Sequence, residues 1–239
     1  MKIAAVSTVK NEADIIGATL QQLYDEGVAN IYIADGMSTD GTRDILAKFP
    51  CKVYDDPDPI HRQPMWMDRL VQQAGEDGAD WCICFDADEF WYATSGATIA
   101  EALVDIDPLV GKLYAQMWQH IDYNLREHAP KSLHKVCVRP APGVHIENGN
   151  HQAVTVGGSL HGILGIREIQ FRSFEHFCRK IQERCDTLDP ALPPGEGSHI
   201  TQFRGWRTEQ LAPIWLAHVD RATVEDPIPI RTPHASLSS

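Results

Sequence analysis

The chain has 239 residues, of which 43% are hydrophobic and 23% charged, so it can bury a substantial core without disulfides or structural metals. Its formal net charge is -12, from 21 Lys and Arg against 33 Asp and Glu, which argues against nonspecific binding to nucleic acid or to an anionic membrane. No segment reaches the ~18 apolar residues that a membrane span needs, and Lys10, Asn11, Glu12 and Asp14 interrupt the first apolar run, which is unlike a secretory signal. The six cysteines, Cys51, Cys82, Cys84, Cys137, Cys178 and Cys185, include no C-x-x-C pair. Three of them lie in apolar, strand-like runs and read as reduced core residues of a cytoplasmic protein.

In chain order, Ile3 to Val9 reads as a buried strand. A helix follows with Ile15, Ile16, Leu20, Leu23 and Tyr24 at helical spacing, capped by Asn11 or Asp14 and closed by Gly27. Ile31 to Ala34 is a second strand ending in Asp35. The turn-rich loop Gly36 to Gly41 leads to a helix over about Thr42 to Phe49. Lys52 to Tyr54 is a third strand, and Met65 to Ala74 is helical. Trp81 to Phe85 is a continuous apolar run that stops at Asp86-Ala87-Asp88-Glu89, the pattern of a strand buried on both faces. Strands alternating with helices imply an α/β fold with a mostly parallel sheet, whose ligands bind at the carboxyl ends of the strands. Further on, Thr98 to Ile106 reads as a helix. Lys112 to Tyr123 and Lys135 to Arg139 read as strands, possible antiparallel partners, and Phe174 to Cys185 as a helix. The expected organisation is one domain over residues 1–186, with halves 1–92 and 93–186. A Pro/Gly-rich extension, 187–239, is partly flexible, and its last stretch from Asp226 is a loosely packed tail.

Asp86 and Asp88 are two apart at a strand end, so both carboxylates point to one side. They repel unless a cation lies between them, and Mg²⁺ or Mn²⁺ suits hard oxygen ligands. Such an ion can bridge the phosphates of a nucleoside diphosphate and neutralise a departing leaving group. Asp35, at the end of an early strand, is placed to accept hydrogen bonds from a ribose or a base. Ser38 and Asp40 beside it fit ordinary turn chemistry equally well, and Asn11 and Glu12 fit a helix start. Together with Asp68 and Asp86, the residues Asn11, Glu12, Asp35 and Ser38 make the expected nucleotide-binding set. His151, in the turn Gly149-Asn150-His151, offers an imidazole to Mn²⁺, although a loop histidine among eleven needs no such role. Trp81, Phe90, Trp91 and Trp118 favour core packing over sugar stacking. Arg172, Arg179 and Lys180 fit surface charges better than diphosphate ligands.

Taken together these residues resemble family 2 glycosyltransferases, in particular the small bacterial and phage-type branch. The resemblance rests on Val9-Lys10-Asn11-Glu12-Ala13-Asp14, on Asp35-Gly36-Met37-Ser38-Thr39-Asp40-Gly41-Thr42, and on Gly78-Ala79-Asp80-Trp81 leading into Asp86-Ala87-Asp88-Glu89-Phe90. Gly149-Asn150-His151 and Phe171-Arg172-Ser173 are less specific landmarks. It implies a GT-A fold, a nucleoside-diphosphate sugar donor, UDP-sugar foremost, and a divalent cation at Asp86 and Asp88 with His151 as a further ligand. It also implies transfer with inversion to an acceptor of unspecified kind, which requires a carboxylate base. Glu89, Glu147, Glu168 and Glu175 are the candidates. Glu168 stands where the branch often carries a histidine four positions before the arginine. Three other readings compete: a sugar nucleotidyltransferase, disfavoured because residues 9–17 lack a glycine-rich loop; an aspartyl phosphatase, which wants D-x-D after the first strand; and a degenerate nucleotide-sugar-binding module.

Overall fold

The computed structural model describes residues 1–58, 60, 62–187 and 202–229. The chain builds an eight-stranded mixed sheet in the order β3-β2-β1-β4-β8-β6-β11-β5. Its members are β1 (Ile3–Val9), β2 (Asn30–Asp35), β3 (Lys52–Asp55), β4 (Trp81–Cys84), β5 (Glu89–Ala93), β6 (Val110–Gln119), β8 (His134–Val138) and β11 (Gly158–Glu168). The first four pair in parallel, β8 runs antiparallel to both of its neighbours, and β5 runs antiparallel to β11. The expected α/β class, the parallel first half and the antiparallel pairing of the two later strands are all observed. Two short pairs flank the sheet: β9 (His145–Ile146) with β10 (Ala153–Val154), and β7 (Leu125–Glu127) with β12 (Ala222–Glu225).

The pleat explains the apolar runs. Ile3 and Ala5 of β1, with Ile31, Ile33, Trp81, Ile83 and Phe85, face α1 (Ile16–Asp25) in one core cluster. The alternate residues Ala4, Val6, Tyr32, Ala34, Cys82 and Cys84 face α3 (Gln63–Glu76) in another. Ile3 to Val6, Ile31 to Ala34 and Trp81 to Cys84 are therefore apolar at successive positions, because both faces of these strands are covered. Trp81, Trp91 and Phe90 are core residues, as expected, while Trp118 carries the guanidinium of Arg126 at 4.0 Å from its ring centre. All six cysteines are free thiols. Among the described residues, no helix is long and apolar enough to cross a membrane.

Two sequence expectations need correction. Helix α1 has Ile15 at its N-cap position with no side-chain cap; the turn before it is instead closed by the Glu12 carbonyl, which accepts from the N–H groups of Ile15 and Ile16. The stretch from Asp226 is not loose where it is described. Asp226 takes a hydrogen bond from Arg167 Nε at 3.0 Å, its backbone N–H donates to Asn124, and Ile228 is buried in the main core. Residues 188–201 and 230–239 lie outside the described set, and with them most of the extension that was expected to be partly flexible. After the short α2 (Thr42–Leu46) and α4 (Ile99–Ala102), α5 (Phe174–Thr187) precedes the first of these stretches and α6 (Thr208–Arg221) lies between the two. The pair packs around Phe171, Phe177, Ile181, Cys185 and Leu211. Proline and glycine content hid α6 from the sequence, since Pro213 falls within it.

Gly27 closes α1 with φ +89°, and a Cβ there would stand 2.5 Å from the Cβ of Ala100. Gly27→Ala is expected to cost about 2 kcal/mol and to lower the thermal midpoint by roughly 4–8 °C. Calorimetry of the variant checks this, and an unchanged midpoint contradicts it.

Candidate active site

Most of the candidate site residues converge on the edge where the parallel strands end. Lys10 to Asp14 follow β1, Asp35 ends β2, and Asp86 to Glu89 follow β4. Because β8 is antiparallel to β4, its first residues, His134 and Lys135, start at that same edge. β11 ends there in Glu168, which lies opposite both Glu89 and Gln119. Among the described residues three non-glycine residues adopt left-handed backbone, and all three belong to this region: Asn11 (φ 55°), Met37 (φ 57°) and Asn150 (φ 58°). Asparagine tolerates that conformation and methionine does not, so strain is stored in the loop after β2.

The first two loops hold each other. The Asn11 backbone N–H donates to Ser38 Oγ at 2.9 Å, and Asn11 Oδ1 accepts from the Thr39 N–H at 2.9 Å. Asp40 accepts from the backbone of Ala13 and Thr42 and from the Thr42 hydroxyl. Asp35 is 1% exposed. It accepts from Ser38 Oγ at 2.5 Å and from Arg43 Nη1 at 3.2 Å, and Arg43 is itself half exposed. Asn11, Ser38 and Asp35 are therefore brought together. Asp68 is not with them. Its carboxylate accepts from the Ile146 N–H at 2.7 Å and pairs with His145 at 2.7 Å, and so fastens α3 to β9.

The carboxylates after β4 have unequal surroundings. Asp86 Oδ2 accepts from Lys135 Nζ at 2.5 Å, and its Oδ1 accepts from Asn150 Nδ2 at 3.2 Å and Gln63 Nε2 at 3.4 Å. Glu89 is fully buried. Its Oε2 accepts from the Asp86 N–H and the Trp91 indole, and its Oε1 lies 3.1 Å from Lys135 Nζ. Burial, partly offset by Lys135, raises the Glu89 carboxyl to about 8. A group so enclosed cannot meet an acceptor hydroxyl, which removes Glu89 from the candidate bases and makes it a brace of the turn. Asp88 has one cation within 4 Å among the described residues, Arg172 Nη1 at 3.9 Å. Desolvation first, and then the charges of Glu168, Glu12 and Asp86, push its carboxyl up to about 6. This is a spot with surplus negative charge.

His151 stands nearby. Its Nδ1 lies 2.7 Å from the His134 carbonyl. A carbonyl can only accept, so Nδ1 carries the proton and Nε2 keeps a bare lone pair, the form in which imidazole binds metal. Burial, then the charge of Lys135, lowers its pKa and keeps the ring neutral. Gly149 (φ +77°) makes room for that ring, since a Cβ would stand 3.0 Å from Nε2. The desolvated Asp88 and the His151 lone pair fit a divalent cation chemically. Their ligand atoms do not gather into a preformed cage. Among the described residues the three donor groups within 4.8 Å of one another are Glu12, Asp14 and His176. There the carboxylates are already neutralised. Arg172 donates to Asp14 at 2.6 and 3.0 Å and to Glu12 at 2.7 Å, and Lys180 also binds Glu12.

The remaining base candidates separate clearly. Glu168 is buried, paired with Lys131, and foremost among the charges acting on Asp88. Glu147 is exposed. Glu175 is also exposed and lines a groove of about 470 Å³ with Asn11, Asp14, Ser173 and His176. Sequence reasoning missed Lys135 and underrated Arg172. The signal for Lys135 was a lone lysine in the otherwise apolar run Lys135-Val136-Cys137-Val138.

No protein-family model matches the chain. Over 118 residues, 48% of the chain, it is 27% identical to the glycosyltransferase AglJ of Haloferax volcanii, 37% of which the match covers. In structure it is similar to Staphylococcus aureus TarS, with a TM-score of 0.50 and 14% identity over 89% of this chain and 45% of that one. Glucosyl-3-phosphoglycerate synthase of Mycobacterium tuberculosis, solved with Mn²⁺ and UDP, matches 50% of this chain and 44% of its own at 14% identity and a TM-score of 0.36, too partial a likeness to bear on function. The chain spans less than half the length of these relatives. The fold is of the GT-A type, and the sequence likeness is to a glycosyltransferase.

Arg172 provides a test of the site's electrostatics. Burial works against the Asp14 carboxyl, but hydrogen bonds and charge from Arg172 hold it below its ordinary value. A depressed carboxyl stabilises the fold above its unfolded pKa, and that contribution is lost as pH falls. Arg172→Gln should therefore cost about 2 kcal/mol at pH 7, with the deficit shrinking below about pH 4. Denaturant unfolding at both pH values checks it, and a pH-independent deficit contradicts it.

Proposed function

We propose that the protein is a metal-dependent glycosyltransferase which moves a sugar from a nucleoside-diphosphate donor, UDP-sugar foremost, to an acceptor hydroxyl with inversion. The observation that carries this reading is Asp88: a desolvated carboxylate at the carboxyl edge of the sheet, crowded by acids and matched by one cation at 3.9 Å. Asp88 and the His151 lone pair would hold Mn²⁺ or Mg²⁺, and such an ion supplies charge neutralisation for a leaving diphosphate. Asn11, Ser38 and Asp35 form the nucleoside end, with the loops after β1 and β2 fixed to each other before ligand arrives. That rigidity lowers the ordering cost of binding. Arg172 reaches toward Asp88 with an Nη1 that has no hydrogen-bond partner, and so has a donor to offer a phosphate oxygen.

Glu168 is the base in this reading. Lys131 pairs with its carboxylate, and the charge of Glu168 is foremost among those acting on Asp88. It would take the acceptor's proton as the acceptor oxygen bonds to the anomeric carbon. The bond from that carbon to the diphosphate oxygen breaks, and its electron pair leaves with the diphosphate. Geometry favours Glu168 over Glu175, which sits on the groove beside Asp14 and His176.

The test is release of nucleoside diphosphate from a panel of nucleotide sugars with Mn²⁺, in the presence of candidate acceptors or of water. Glu168→Gln should lower kcat by about 10²–10⁴-fold while leaving donor affinity within about threefold. Release of pyrophosphate from a nucleoside triphosphate, with no turnover of any nucleotide sugar, would contradict the assignment in favour of a nucleotidyltransferase.

A further inference from the structure

Lys135 is a lysine inside a buried strand. It is 2% exposed, between Val136 and a half-buried His134, and it comes from the strand that runs antiparallel to β4. A buried ammonium is costly unless it is fully paired. Its partners are two acids of one turn, Asp86 at 2.5 Å and Glu89 at 3.1 Å. Around the same turn Asn150 and Gln63 donate to the other oxygen of Asp86, and the Asp86 N–H and the Trp91 indole donate to Glu89. Asp86 thus receives side-chain donors from α3, from β8 and from the segment Asn148–Asn150. No hydrogen bond is made to the Asp88 carboxylate among the described residues, and its nearest cation stands at 3.9 Å.

We infer that Lys135 is a positioning residue that divides the two aspartates: it binds Asp86 and Glu89 into the protein frame and leaves Asp88 as the carboxylate that meets an incoming divalent cation. The ammonium takes Oδ2 of Asp86 while Asn150 and Gln63 take Oδ1, so both oxygens of that carboxylate are engaged by the protein. It thereby sets how many protein charges the ion sees, and keeps the empty site from trapping a cation without nucleotide. What the cation is for rests on the transferase reading above, whereas the division itself concerns Mn²⁺ binding and can be measured without turnover.

The experiment titrates Mn²⁺ into the full chain and follows free ion by electron paramagnetic resonance, with and without UDP. Lys135→Gln releases Asp86 and Glu89, and should bind Mn²⁺ alone at least about tenfold more tightly than the unsubstituted protein. A merely structural lysine would give unchanged or weaker binding, and that result overturns the inference. Circular dichroism verifies the fold of this variant. A second comparison stands whether or not it folds: Asp86→Asn should change Mn²⁺ affinity less than about threefold, and Asp88→Asn should weaken it at least about tenfold. Equal losses in the two would overturn the inference. Absence of any UDP effect in the unsubstituted protein would count against the transferase reading alone, because the contrast between the aspartates is then read with Mn²⁺ by itself.

Discussion

Five carboxylates, Glu12, Asp86, Asp88, Glu89 and Glu168, converge where the parallel strands end, and the site exists because cations hold them there. Lys135 serves Asp86 and Glu89, Arg172 and Lys180 serve Glu12, and Lys131 serves Glu168. Three of the five acids are less than 10% exposed, so each unpaired charge would carry a large desolvation cost. The cations come from strands, loops and helices far apart in sequence. Closing these pairs ties the second half of the chain to the first, and the ion pairs are part of the fold as well as of the chemistry. Asp88 is the member left with the weakest compensation, and it is therefore the place where an external cation has most to offer.

The same constraint explains the direction of the structure around the site. A parallel sheet brings its strand ends together and its helices to both faces, so the polar loops can gather only at the edges. The antiparallel strand β8 delivers a lysine to that edge from its own start, which a further parallel strand could not do at the same position. The loops after β1 and β2 interlock through Asn11, Ser38 and Asp40 and carry left-handed residues at Asn11 and Met37. Such strain persists where surrounding bonds over-determine it, and here they do.

The first 90 residues were largely legible in the sequence because every signal there agrees. Apolar runs of strand length end in acids, and helical spacing fills the gaps between them. Asp35, Asp86 and Asp88 could be placed on the ligand edge from that alternation alone. What escaped was everything that depends on contacts between distant residues. Asp68 looked like a site residue, yet it spends its carboxylate on Ile146 and His145. Glu89 lay beside the motif, and nothing local disclosed that Lys135 and Trp91 enclose it. Arg172 read as surface charge because its partners, Glu12 and Asp14, are some 160 residues earlier. Helix α6 was obscured by its proline, and the buried Ile228 by the proline-rich stretch around it.

The most direct test of the central claim is thermal unfolding with UDP, GDP, dTDP and CDP, each with Mn²⁺ and each with chelator. A ligand at a hundredfold over its dissociation constant stabilises the native state by ~2.7 kcal/mol, a midpoint rise of roughly 5–10 °C for a chain of this size. The account predicts such a rise for one diphosphate, dependent on Mn²⁺ and absent in Asp88→Ala. Folded protein that shows no metal-dependent rise with any of the four, at saturating concentrations, would contradict it.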